Sequence, residues 1–117
     1  MKDKMVLFTL NAIRKNPTKA KGYINAYLNE GISWGILTYS PFKEKEEIEE
    51  ELRKIGIGTD TIFVRKNKDN RSMARYVLDI AEAVTKRYEI EAIYMDFTSE
   101  PDKTLAKTLK RFKVYPF

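Results

Sequence analysis

The chain of 117 residues contains neither cysteine nor histidine. Lack of cysteine excludes disulfides, thiolate nucleophiles and thiolate metal ligands, and it suits a reducing compartment. Lack of histidine removes the usual general base near neutral pH and the usual zinc ligand, so a zinc site of the common nitrogen–sulfur kind is excluded. Glycine and proline are sparse, with 5 and 4 copies. Gly22, Gly31, Gly35, Gly56 and Gly58 form none of the spacings that cradle a nucleotide phosphate, and no Gly-x-Ser-x-Gly elbow occurs. A Ser–Lys pair is available from composition, but no spacing supports it. Long apolar runs are also missing. The first run, residues 5–10, is shorter than a secretory signal core or a membrane span, so the expected location is cytoplasmic.

What is present is enough for a core. Apolar residues make up 43% and aromatics 12%, spread along the chain, which predicts one domain over residues 1–117 and argues against disorder. The net charge is +5, from 22 basic and 17 acidic residues. So mild an excess permits an anionic partner such as nucleic acid without requiring one. Ile48, Leu52 and Ile55 repeat at helical spacing over an otherwise charged segment, so the Lys/Glu run at residues 43–54 reads as a solvated helix face.

Strand and helix patterns alternate throughout. Residues 5–10, 34–39, 61–64 and 92–95 are apolar runs of strand length, and residues 113–115 read as a fifth short strand. Asn16-Pro17 supplies a cap and a first-turn proline, and Ala20, Ile24, Tyr27 and Leu28 fall on one helical face with Tyr23 at its edge, up to Gly31. Pro41 closes the second strand and opens the next helix. Met73, Tyr76, Val77, Ile80, Ala81 and Val84 form an apolar stripe. Ser99 caps the last helix, with Asp102 completing a shortened capping box and Leu105, Leu109 and Phe112 as the buried face. This order predicts an α/β fold: a single three-layer α/β/α domain, Rossmannoid, with a mainly parallel five-stranded sheet.

In an open parallel sheet, ligands bind beyond the carboxyl ends of the strands. That rule selects Thr9 and Asn11 after the first strand, Thr38 and Ser40 after the second, and Asp96 with Thr98 and Ser99 after the fourth. The third strand opens into the basic segment 65–71, with Lys66, Lys68 and Arg71. Hydroxyls, an amide and cations together suit a phosphate. Singly, each residue also has a structural explanation: strand residues at Thr9 and Thr38, a pre-proline turn at Ser40, a turn at Asn11, a cap at Ser99, and a lysine pair at Asp96.

Three stretches carry a family likeness: Met5-Val6-Leu7-Phe8 followed by Thr9-Leu10-Asn11-Ala12-Ile13, Ile36-Leu37-Thr38-Tyr39-Ser40, and Ile93-Tyr94-Met95-Asp96-Phe97-Thr98. A fourth is Arg65-Lys66-Asn67-Lys68-Asp69-Asn70-Arg71 before the long helix. In this order they resemble the haloacid-dehalogenase-like (HAD) superfamily, nearest the phosphatase domain of phage-type polynucleotide kinases. The resemblance implies a HAD-like domain without a cap domain, in which Thr9 stands at the nucleophilic aspartate, Asn11 at the acid–base aspartate and Val77 at the lysine position. Of the acids that would hold magnesium, Asp96 remains. An aspartyl-phosphate needs a carboxylate nucleophile, and a threonine hydroxyl is un-ionised at neutral pH.

The resemblance therefore implies a pseudoenzyme with no catalytic residue and no cofactor assigned. Such a domain would bind a protein partner or a phosphate-bearing ligand such as a nucleic-acid end. The basic loop 65–71 would face the anion, and Lys103, Lys107, Lys110, Arg111 and Lys113 would add positive charge on or near the last helix. One alternative is a divergent magnesium-dependent phosphatase or phosphotransferase using Asp96. Another is a structural subunit in which exposed Tyr115 and Phe117 form a homodimer or partner contact. The small, lysine-rich chain would suit a phage accessory protein.

Overall fold

A strand that is apolar at successive positions can be stable only where both of its faces are covered. Val6, Leu7 and Phe8 meet that condition, for all three are wholly buried. In the computed structural model, which describes residues 2–41, 44–58, 62–65 and 70–117, they form the middle of β1 (Asp3–Thr9). The other strands are β2 (Ser33–Pro41), β3 (Ile62–Arg65), β4 (Tyr88–Met95) and β5 (Val114–Pro116). The sheet order is β3-β2-β1-β4-β5, and each neighbouring pair is parallel. The α/β class and the parallel sheet are those the sequence predicts.

Alternation along β1 divides the interior. Val6 and Phe8 pack with Ile13, Ala20, Ile24, Ile48 and Leu52, which come from α1 (Leu10–Lys15), α2 (Pro17–Asn29) and α3 (Lys45–Lys54). Met5 and Leu7 pack with Tyr76, Val77, Ala81, Leu105 and Leu109, from or just beyond α4 (Met73–Val84) and α5 (Glu100–Thr108). The crossovers of the β1–β2–β3 half thus lie on one face and those leading to β4 and β5 on the other. The order reverses at β1, which sets the tips of β1 and β4 side by side. Among the described residues, no helix is long and apolar enough to cross a membrane.

Local signals act as their chemistry dictates. Pro17 opens α2, and the Asn16 side chain accepts a hydrogen bond from the Lys19 amide at 3.1 Å. Gly31 and Gly56 adopt φ of 77° and 80° after α2 and α3, a conformation that glycine enters without strain.

Several expectations need correction. Residues 10–15 form a helix, α1, with Leu10, Ala12 and Ile13 buried; six residues are too few to display a helical period. Pro41 ends β2 and does not open a helix, because α3 begins at Lys45. Leu28 is 50% exposed, since the buried stripe of α2 is confined to Ala20 and Ile24. β4 starts at Tyr88, well before the apolar run. Among the described residues its first half pairs only with β1, because β5 pairs from Ile93 onward, so Glu89 and Glu91 can stand there in contact with water. Ser72, overlooked in the sequence, caps α4 by accepting from the Arg75 amide at 3.2 Å.

The Phe8 ring stacks on Tyr94 at 5.0 Å and meets Trp34 and Phe117 edge-on. Phe8→Ala is therefore expected to cost about 3–5 kcal/mol. Leu28→Ala on the surface should stay within about 0.5 kcal/mol. Urea unfolding midpoints at constant slope check both.

Candidate functional site

Because β1 is flanked on both sides, its tip opens into the crevice between the tips of β2 and β4. Thr9 is extended there, with φ −71° and ψ 154°. Its hydroxyl accepts from the Ala12 amide at 3.1 Å, which caps α1, and donates to Asp102 Oδ2 at 2.7 Å. Asn11, in the first turn of α1, donates its side-chain amide to Asp102 Oδ1 at 3.1 Å and to Ser99 Oγ at 3.3 Å. The Asp96 backbone N–H, just past β4, donates to Asp102 Oδ2 at 2.7 Å. A wholly buried carboxyl group is thus held by donors from β1, α1 and the tip of β4.

Sequence reading placed Asp102 in a capping box, and the structure overturns that role. Ser99 stands at the N-cap but makes no side-chain cap bond, while Asp102 turns inward to the sheet edge. The physical reason is burial: a carboxyl group removed from water must be surrounded by donors, and the strand tips supply them. A signal for this was present, since Asp102 precedes Leu105 and Leu109 at helical spacing and so belongs to the buried stripe.

The carboxyl group of Asp96 serves nearby partners. Oδ1 accepts from the Thr98 hydroxyl at 2.5 Å and the Thr98 amide at 3.0 Å, with Lys15 Nζ at 3.5 Å. Burial alone would raise its pKa. The two Thr98 hydrogen bonds and the Lys15 ammonium outweigh burial and hold it below the usual carboxylate value.

A cavity of about 280 Å³ opens beside this cluster, lined by Thr9, Asn11, Arg14, Thr38, Glu44, Glu47, Glu51 and Asp102 among others. Arg14 holds Glu51 through two hydrogen bonds of 2.8 Å. That contact, opposed by partial burial, keeps Glu51 below its ordinary pKa. With the Arg14 charge met by Glu51, the remaining charged residues of the rim, among the described residues, are Glu44 and Glu47.

The candidate residues therefore separate. Thr9, Asn11 and the Asp96 amide converge on Asp102, and Thr38, 4% exposed, lines the adjoining cavity. Arg71 pairs with Asp79 of α4 at 3.0 Å and lies 5.0 Å from the centre of the Tyr76 ring. Lys66, Lys68 and the side chain of Ser40 lie outside the described residues. Among the described residues, no three acidic side chains converge as a metal site would require. Phe117, expected to be exposed, is buried at 7%, whereas Tyr115 is exposed.

Asp102→Ala would strand one buried and two half-buried donors and is expected to cost about 2–4 kcal/mol, with Thr9→Val costing about 1–3 kcal/mol. Both are read from denaturant unfolding. For Asp96, the lowered folded pKa means stability that is fully present above the unfolded carboxylate value and lost as pH falls through the folded one. Asp96→Asn should therefore lose less stability on acidification than the parent chain, as measured by unfolding midpoints across the acid range.

No protein-family model matches the chain, and neither a curated protein nor a solved structure matches it significantly.

Proposed function

We propose that this chain is a catalytically degenerate HAD-like domain that works by binding and not by turnover. The strand order, reversing at β1, supports the HAD-like reading, because it sets Thr9 beside Asp96 as the motif resemblance requires. The observation that carries the functional reading is the engagement of Thr9 and Asn11 by Asp102. In the position of a nucleophilic carboxylate stands a hydroxyl that is 3% exposed, gives its hydrogen to Asp102 and accepts the Ala12 amide. A hydroxyl at that position cannot itself form an aspartyl-phosphate. Asp96, which would have to hold magnesium in the phosphatase alternative, is committed to Lys15 and Thr98.

Glu44 and Glu47 on the cavity rim disfavour an anionic partner at that opening. The setting we assign is the cytoplasm, where a domain without cysteine is indifferent to reducing conditions.

Hydrolysis of p-nitrophenyl phosphate with magnesium tests the reading. Neither the parent chain nor Asp96→Ala is expected to exceed the buffer rate. Turnover by the parent that Asp96→Ala abolishes would establish the magnesium-dependent phosphatase instead.

A further inference from the structure

Helices α1, α2 and α3 pack against β1 and β2 on one face of the sheet. Where that face continues over β4 and β5, rings fill the space. Tyr94 of β4 lies 5.9 Å from Tyr115 of β5, 5.7 Å from Phe117 and 5.4 Å from Tyr23, which reaches across from α2. The Tyr27 and Tyr94 hydroxyls share a hydrogen bond of 2.6 Å, which fixes the central ring. The outer rings remain open to solvent, Tyr23 at 37% and Tyr115 at 44%.

Charge accompanies the rings. Lys19 Nζ sits 4.6 Å from the Phe117 ring centre and 5.6 Å from that of Tyr23. Lys113, two residues before Tyr115 on extended chain, falls on the same side of the sheet. Among the described residues, neither lysine has a carboxylate partner. Asp96, two residues beyond Tyr94, is already met by Lys15 at 3.5 Å.

We propose that this face binds single-stranded nucleic acid, with bases stacked on Tyr23 and Tyr115 and phosphates paired with Lys19 and Lys113. The proposal rests on the reading of the chain as a binding domain and names its partner. A ligand for this face must combine flat apolar surfaces with negative charge at short intervals. Single strands do so and duplexes do not, because their bases are already stacked inside. Rings held from behind by Tyr94 and Phe117 lose little freedom on binding. A second copy of the chain would bring like-charged lysines together on this same face.

The test is fluorescence anisotropy of a labelled oligo(dT) and of the matching duplex, at low and moderate salt, with circular dichroism confirming the fold of each variant. The single strand should bind more tightly than the duplex, with affinity falling as salt rises. Tyr115→Ala should weaken binding by about tenfold. Lys19→Gln should weaken it several-fold and flatten the salt dependence. Lys86→Gln removes the same charge from the exposed approach to β4, at the opposite end of the sheet, and should leave binding unchanged. Three results overturn the proposal: no salt-sensitive binding, equal affinity for the duplex, or an equal loss in Lys86→Gln. Light scattering that finds a dimer dissolved by Tyr115→Ala also overturns it and gives the face to a second copy. Phosphatase turnover would defeat the underlying binding-domain reading, whereas absent oligonucleotide binding without turnover removes only this partner.

Discussion

The carboxyl group of Asp102 organises the carboxyl edge of the sheet. It is wholly buried, and a group of that polarity remains in the interior only while donors surround it. Those donors come from distant parts of the chain: a threonine ending the first strand, an asparagine in the helix that follows, and a main-chain amide after the fourth strand. One side chain thereby fixes α5 against β1 and β4 and sets the distance between the two strand tips. The requirement is reciprocal. Thr9 and Asn11 would themselves be poorly satisfied donors without Asp102, so the three positions constrain each other's chemistry.

The same constraint bears on function. A crevice at the order reversal of a parallel sheet is ordinarily where a ligand finds exposed main-chain donors and polar side chains. Here those groups already serve an internal acceptor, and Glu44, Glu47 and Glu51 are among the described residues that line the neighbouring cavity. The polar capacity of this edge goes to holding the fold. Aromatic surface meets water at Tyr23 and Tyr115, where Lys19 and Lys113 lack acidic partners among the described residues, and this is the face to which we assign binding.

Much of the architecture could be read from residue pattern. The unbroken apolar run at Val6-Leu7-Phe8 announced a strand covered on both faces, and Asn16-Pro17 and Gly31 marked the ends of α2 through capping chemistry that depends only on neighbours. What escaped depended on distance. Residues 10–15 were too short for a period, and the start of β4 was masked by glutamates that only a missing neighbour strand permits. Thr9, Asn11 and Asp96 are legible in the sequence as strand-tip residues, but the acceptor joining them is not, because Ser-x-x-Asp satisfies a local capping rule equally well. Spacing from Asp102 to Leu105 and Leu109 pointed inward. Local capping logic concealed it, since the partners lie some ninety positions away, at |i−j| of 93 and 91.

The outermost strand has a further consequence. In β5 the Lys113 carbonyl and the Phe117 amide face β4, so alternation turns Val114 and Pro116 toward the open side. Pro116 has no hydrogen to donate, and the strand is only three residues long. An incoming strand would meet a truncated, donor-poor template there. This one of the sheet's two borders is thus blunted by one imino acid, which disfavours pairing of an incoming strand along β5.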